Sequence, residues 1–313
     1  LVSLVTTELD WVGLHLNFTD KTVCLTQKCI DKLKISWDSR HGWTWQGFAS
    51  HLGLLWWSMQ VLRTPVAHHF PVFRFSSEVS KLMQAADDKD WCESATIPAS
   101  VLKDLELWTS EVLPNTPVVV KPRVEPDLYV LMDACALGWG YVALDLKTGR
   151  VYQHGETWSA AFARRFGKKK LGDSNFTEPW AVVNTKAHIL AQLDRKDPSF
   201  LIGTDNAASK YVFTKGFSCK SYNLNCAVMK DRELFDHLQT ILVHVEGEIN
   251  VLADAKSRGK SLFGSTYFGD DLIRESILRI LGDNPVVKNS SKTGVDENAD
   301  AFPHSSLSTS MSY

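Results

Sequence analysis

The sequence predicts an α/β fold: a mixed five-stranded sheet flanked by helices, preceded by a mostly helical region that opens with a β-hairpin. Three observations carry that expectation. Between 128 and 156, three apolar runs of strand length follow one another with only turn residues between them. From 177 to 246, strand-length apolar runs alternate with longer runs of helical period. Before 126, amphipathic helical patterns and prolines dominate.

The elements follow in order. Residues 9–25 read as a β-hairpin, with Trp11, Leu14, Leu16 and Phe18, then Val23 and Leu25, on either side of a Thr19-Asp20-Lys21 turn. Thr26 is placed to cap a helix running to about Leu33. Thr44 is placed to cap a second, with Phe48, Leu52, Leu55 and Met59 on one face. Residues 63–125 form a proline-rich connection (Pro65, Pro71, Pro98, Pro114, Pro117, Pro122) with one helix. That helix starts at Thr96-Ile-Pro98, turns Val101, Leu102, Leu105, Trp108 and Val112 inward, and stops before Pro114. Residues 122–126 read as a linker. Strands are then expected near 128–134, 139–145 and 150–156, joined by a bend at Gly138 and a Lys147-Thr-Gly149 turn. A helix over 177–193, a strand over 199–205, helices over 206–215 and 224–238, a strand over 239–246 and a short helix holding Asp254 complete the sheet region. Leu272 to Leu281 reads as one more amphipathic helix, stopped by Gly282 and Pro285. From 284 the chain is polar and Ser-rich, the composition of a disordered tail. The expected units are therefore 1–62, 63–125, 126–260, 261–283 and 284–313.

Bulk properties narrow the class. The 313 residues suffice for two or three domains. A hydrophobic content of 44% with mean hydropathy −0.14 reads as soluble and globular. No apolar run approaches the roughly 18 residues of a membrane span, and no leader pattern opens the chain. The first residue is Leu1 rather than Met, which reads as a piece of a longer polyprotein. Six cysteines show no paired metal spacing, the usage of reduced thiols in an intracellular protein, nuclear or cytoplasmic. The net charge of −2 does not announce nucleic-acid binding. Distribution matters more than the sum: the segment Arg164-Arg165-Phe-Gly-Lys168-Lys169-Lys170 is either a solvated loop or one that tracks phosphates.

Four acids stand in settings that call for a partner. Asp133 sits in Leu-Tyr-Val-Leu-Met-Asp133-Ala-Cys-Ala-Leu-Gly-Trp-Gly, Glu178 in Asn175-Phe-Thr-Glu178-Pro-Trp-Ala, Asp205 in Leu-Ile-Gly-Thr-Asp205-Asn206, and Asp254 in Asn250-Val-Leu-Ala-Asp254-Ala-Lys-Ser-Arg258. Carboxylates that interrupt or end apolar strands are costly unless paired or metal-bound. Each also has a purely structural reading. Asp133 fits a strand end, Glu178 a capping box with Asn175, Asp205 the cap of the next helix, and Asp254 an i,i+4 pair with Arg258. Asn206 and Asn250 could hold the site or contact substrate hydroxyls; local turn bonding is the alternative, favoured for Asn250. Trp139 reads as core.

In this order the motifs Asp-Ala-x-x-x-Gly-Trp-Gly, Asn-x-x-Glu, Thr-Asp-Asn and Asn-x-x-Ala-Asp-x-x-Ser-Arg resemble the ribonuclease H domain of retroelement reverse transcriptases, most closely the DIRS and VIPER type. The resemblance covers about 126–260 and implies a ribonuclease-H-like sheet. It implies Asp133, Glu178, Asp205 and Asp254 as catalytic metal ligands for two Mg²⁺ ions, with Mn²⁺ able to substitute. Asp133 would bridge the ions and Asp205 would share the one that activates water. The implied substrate is the RNA strand of an RNA–DNA hybrid. Asn206 and the basic residues 164, 165 and 168–170 would contact it. Cys135 and Ala255-Lys256 depart from the usual residues without touching a ligand position. Residues 1–62 are similar to the end of a polymerase palm and its thumb, which implies fingers and palm upstream. His244 lies where a product-release histidine would be sought, although its apolar surroundings read as strand. Phe268-Gly-Asp270-Asp271 imitates a polymerase signature, but a helix follows it at once, so one of these acids reads as an N-cap and no polymerase activity is expected of this chain. The alternatives are an inactive hybrid-binding module of the same fold and a transposase or integrase nuclease acting on DNA.

Overall fold

Two tight turns shape the start of the chain. In the computed structural model, which describes residues 6–85, 89–122, 124–258 and 267–282, β1 (Glu8–Trp11), β2 (Leu14–Asn17) and β3 (Thr22–Leu25) form an antiparallel meander. The expected hairpin thus has a third strand. Val12 and Gly13 adopt φ of 47° and 84°, a reversal that β-hairpins favour.

Helices α1 (Gln27–Asp38) and α2 (Trp45–Leu62) follow. The Thr44 hydroxyl accepts from the Gly47 N–H at 3.2 Å, as expected of a cap, whereas Thr26 occupies the cap position without a side-chain bond. A helix not foreseen in the sequence, α3 (Phe70–Ala85), comes next. Pro71 falls in its first turn, where a missing N–H costs nothing, and Val72, Phe73, Val79 and Met83 are buried along one face. On α4 (Ala99–Val112), Val101, Leu105, Trp108 and Val112 are buried as their spacing predicts. β4 (Val118–Val119) then returns to pair with β3.

The second sheet is built from β5 (Leu128–Ala134), β6 (Gly138–Asp145) and β7 (Val151–Thr157). Next come α5 (Ala160–Phe166), α6 (Lys168–Leu171), α7 (Ser174–Leu190), β8 (Phe200–Thr204), α8 (Ala207–Lys215), α9 (Tyr222–Phe235) and β9 (Thr240–His244). The unit closes with α10 (Val251–Ser257) and α11 (Asp270–Ile277), extended by a π turn over Leu278–Gly282. The strand order is β7-β6-β5-β8-β9; β5, β6 and β7 are antiparallel, while β8 and β9 run parallel to β5. This is the expected ribonuclease-H-like sheet. Val130 and Met132 face Val182 and Phe200 on one side; Leu131 and Val142 face Ile273 and Ile277 on the other.

A third core joins the helical region to this sheet unit. Phe48, Leu55, Phe73 and Trp108 pack with Val212, Phe217 and Leu224 of the α8–α9 region. The Phe73 and Phe217 rings stack at 4.3 Å, and Arg232 donates to the Arg63 carbonyl at 3.3 Å. Arg123 of the expected linker, residues 259–266, Pro285 and the Ser-rich tail lie outside the described residues. Among the described residues no helix is long and apolar enough to cross a membrane.

Candidate metal centre

The register of the central strands brings two acids to one edge. Leu131 of β5 lies opposite Gly203 of β8. Two residues beyond each stand Asp133 and Asp205, so parallel pairing carries both to the carboxyl ends of adjacent strands, where open α/β sheets hold their ligands. Glu178 reaches the same edge from the second turn of α7. One oxygen from each of Asp133, Glu178 and Asp205 lies within 4.8 Å of the others.

Donors fix these carboxylates. The Ala134 N–H donates to Glu178 Oε1 at 2.8 Å, and the Thr204 hydroxyl donates to Oε2 at 3.2 Å. The Ser257 hydroxyl donates to Asp133 Oδ2. Ser257 can reach because α10 rests directly on β6 at Gly140, where a Cβ would lie 2.5 Å from the Lys256 carbonyl carbon. Gly138 answers a similar demand, since a Cβ there would meet the Glu156 carbonyl oxygen at 2.2 Å. The other end of α10 is tied by Asn250, whose Nδ2 donates to the Met132 carbonyl at 3.0 Å. Asn250 therefore makes a long-range bond to β5 rather than the local turn bond expected. Thr204 and Ser257 stood inside the quoted motifs, but nothing in their spacing assigned them a carboxylate.

Two structural readings of the acids are corrected. Helix α7 begins at Ser174, and Asp173 is its N-cap, accepting from the Asn175 N–H at 3.1 Å. No capping box joins Asn175 to Glu178; Asn175 Oδ1 instead accepts from Asn206 Nδ2 at 3.3 Å. The cap of α8 is Asn206, which accepts from the Ser209 N–H at 2.7 Å, and this leaves the Asp205 carboxylate to the site.

Asp254 is not among the three converging acids. Its side chain is 40% exposed and pairs with Arg258, the i,i+4 partner read from the sequence. Its charge still reaches the site: burial raises the Asp133 and Asp205 carboxyls above the ordinary range, and Asp254 raises both further, against the Ser257 bond at Asp133. Burial, followed by the Asp133 charge, pushes Glu178 up to about 9. Glu178 is only 1% exposed. Among the described residues, none of the three acids forms an ion pair within salt-bridge distance. An all-oxygen set of mutually repelling carboxylates, two buried and Asp205 half-buried, fits a hard divalent cation, which would supply the missing positive charge.

The remaining candidates surround this centre. His244 ends β9 and its Nε2 lies 3.1 Å from the Asp205 carbonyl oxygen, so it is a strand-end histidine with a partner. The basic segment is not a loop but two short helices, α5 and α6. Arg164, Arg165, Lys169 and Lys170 are exposed on them; the Lys168 side chain lies outside the described residues. Beneath, Phe162 and Phe166 pack on Phe176 and Trp180, and the Arg165 guanidinium sits 5.1 Å from the Phe166 ring centroid. Aromatic packing thus anchors α5, with Arg164 and Arg165, to α7, the helix that carries Glu178. Asp270 and Asp271 open α11, whose N-cap is Gly269 rather than either acid.

No family model and no curated protein matches the chain. Solved structures of similar fold include RNase H1 of the halophilic archaeon Halobacterium salinarum NRC-1, at 17% identity and TM-score 0.34, over 44% of this chain and 98% of that one. LC11-RNase H1, isolated from compost, matches at 14% and 0.31, over 42% of this chain and 92% of its own. The foamy viral protease-reverse transcriptase in complex with RNA/DNA hybrid matches at 14% and 0.25, over 77% of this chain and 30% of that one. The strand order, not these overlays, assigns the fold.

Proposed function

We propose that this chain is a metal-dependent ribonuclease H that hydrolyses the RNA strand of RNA–DNA hybrids, within the C-terminal part of a retroelement reverse transcriptase of the DIRS or VIPER type. The observation that carries the reading is the convergence of Asp133, Glu178 and Asp205 at the carboxyl ends of β5 and β8. The hybrid and the retroelement setting rest on the motif resemblance.

Asp133, Glu178 and Asp205 would hold Mg²⁺, with Mn²⁺ as a substitute and Asp254 joining by exchanging Arg258 for metal. Bound as a pair, the ions would acidify the attacking water and stabilise the leaving alkoxide. The chain's own contribution is orientation. Ser257 holds Asp133, while the Ala134 N–H and Thr204 hold Glu178, so the orientation of both carboxylates is set by the chain. Burial keeps Asp133 and Glu178 out of bulk solvent. Exposed Arg164, Arg165, Lys169 and Lys170, with Lys168, would follow phosphates beside the α7 terminus, and Asn206 would face the substrate next to Asn175. Recognition would depend on 2′-hydroxyls and backbone rather than base sequence. The units 1–62, 63–125 and 126–260 would correspond to thumb, connection and hydrolase, and fingers and palm upstream would be their partner.

One observation favours a second reading. The pairing of Asp254 with Arg258 leaves three acids at the centre, which suits a hybrid-binding module that does not cut. Incubating the purified chain and Mg²⁺ with end-labelled RNA–DNA hybrid, duplex RNA and duplex DNA separates the readings. The proposal expects cleavage of the RNA in hybrid alone. Tight binding without cleavage would favour the second reading, and cleavage of duplex DNA would favour a transposase-like nuclease.

A further inference from the structure

In the helical region, two adjacent histidines of a turn and a carboxylate from a helix converge. His69 is completely buried just before α3, and it has a carboxylate at each ring nitrogen: Asp104 Oδ1 lies 2.8 Å from Nδ1, and Glu111 Oε2 lies 3.2 Å from Nε2. His68 brings its own Nε2 to 3.2 Å from the other Glu111 oxygen. Both acids belong to α4. Among the described residues, no lysine or arginine pairs with Asp104 or Glu111.

Both ring nitrogens of His69 face carboxylate oxygens, and a neutral imidazole donates from only one of them. If Nδ1 of His69 donates to Asp104, Nε2 presents a lone pair to a carboxylate oxygen. A cation shared between His69, His68 and Glu111 would give that lone pair and the Glu111 oxygens a common partner. The distances fit such a cation. Bonds of about 2.0–2.1 Å to nitrogen and oxygen in a tetrahedral zinc site place neighbouring ligand atoms about 3.3 Å apart, and both histidine–carboxylate distances are 3.2 Å. All three ligand atoms lie within 4.8 Å of one another. A carboxylate on the far nitrogen of a ligating histidine is the usual outer support of such a site, and Asp104 occupies that place.

We propose that His68, His69 and Glu111 bind one Zn²⁺ ion, with Asp104 as a positioning residue, and that the ion staples the turn before α3 to α4. Two nitrogens and one carboxylate distinguish this site from the all-oxygen centre at Asp133, which suits Mg²⁺ instead. Glu111 and His68 are each about 30% exposed, so an ion can enter and water can complete the shell.

The test uses the full chain, stripped with a chelator and titrated with Zn²⁺ by calorimetry in excess Mg²⁺, and in parallel with Co²⁺ read by visible absorption. The expected result is one equivalent of Zn²⁺, a tetrahedral Co²⁺ spectrum and a raised Tm. Glu111→Gln and His68→Gln should each weaken binding by on the order of 100-fold, Asp104→Asn by about 10–100-fold, and Asp133→Asn should leave it unchanged. Absence of the Co²⁺ spectrum in the wild-type chain would overturn the proposal whatever the variants do. So would Zn²⁺ binding that survives Glu111→Gln but is lost in Asp133→Asn. Failure at the acidic centre leaves this test unaffected, because its readouts do not involve cleavage.

Discussion

Glu178→Gln isolates the electrostatic cost of the acidic centre. In the metal-free chain the Glu178 carboxyl is held at about 9 against an ordinary 4.5, first by burial and then by Asp133. Between those values the folded chain keeps a proton that the unfolded chain has released, so stability falls as pH rises through the window. Each pH unit above the ordinary value costs about 1.4 kcal/mol, which amounts to about 3 kcal/mol at pH 7 and under about 1 kcal/mol at pH 5. Glutamine has no proton to take up. Its carbonyl can accept from the Ala134 N–H as Oε1 does now, and its amide can donate to the Thr204 hydroxyl oxygen once that hydroxyl turns its hydrogen away. The metal-free variant should therefore be more stable than the wild type by about 3 kcal/mol at pH 7, and the gap should nearly close at pH 5. Urea denaturation with a chelator present measures both, with an unchanged m-value as the sign that the unfolded state is the same. Magnesium should reverse the order by stabilising only the wild type. Equal stability at pH 7, or a gap independent of pH, would refute the claim that repulsion and burial dominate this site.

Three further outcomes follow from named residues. Gly140→Ala places a Cβ 2.5 Å from the Lys256 backbone, so it should destabilise by about 1–3 kcal/mol and suppress hybrid cleavage by shifting Ser257 from Asp133, as urea denaturation and a cleavage assay would show. Lys186 is buried and its Nζ lies 2.8 and 3.0 Å from the two carboxylate oxygens of Asp231; Lys186→Met should cost about 3–5 kcal/mol by stranding Asp231, and adding Asp231→Leu should recover most of it in the same denaturation assay. Replacing Arg164, Arg165, Lys168, Lys169 and Lys170 with Ser should flatten the salt dependence of hybrid binding by somewhat under about one unit for every phosphate no longer neutralised, with turnover at saturating substrate little changed; an identical salt slope would return α5 and α6 to a merely solvated role.

The sheet was legible because its strands are short, apolar and bounded by turn residues, and Asp133 was conspicuous as a carboxylate inside an otherwise apolar strand. The meeting of Asp133 with Asp205 was not legible from periodicity. It depends on the parallel register of β5 and β8, strands far apart in sequence, and only the motif order anticipated it. Helix α3 escaped because Pro71 reads as a breaker unless it is known to fall in a first turn. The start of α7 was misplaced because Asn175, three residues before Glu178, imitates a cap, while Asp173 does the capping. Asp254 illustrates a different limit: helical spacing predicted its pairing with Arg258 and motif order predicted a ligand, and local spacing describes the metal-free chain. The convergence of His68 and His69 on Glu111 joins the turn before α3 to α4 and has no sequence signature at all.

The central claim, that Asp133 and its neighbours form a catalytic metal centre, is tested most directly by comparing wild type and Asp133→Asn for Mg²⁺-dependent cleavage of an RNA–DNA hybrid, with circular dichroism recorded on both. Asparagine preserves the shape of the buried site and removes one ligand charge, so the expected result is an intact fold, metal-free stability equal to or above wild type, and no cleavage above background. Cleavage by the folded variant at the wild-type rate would contradict the claim.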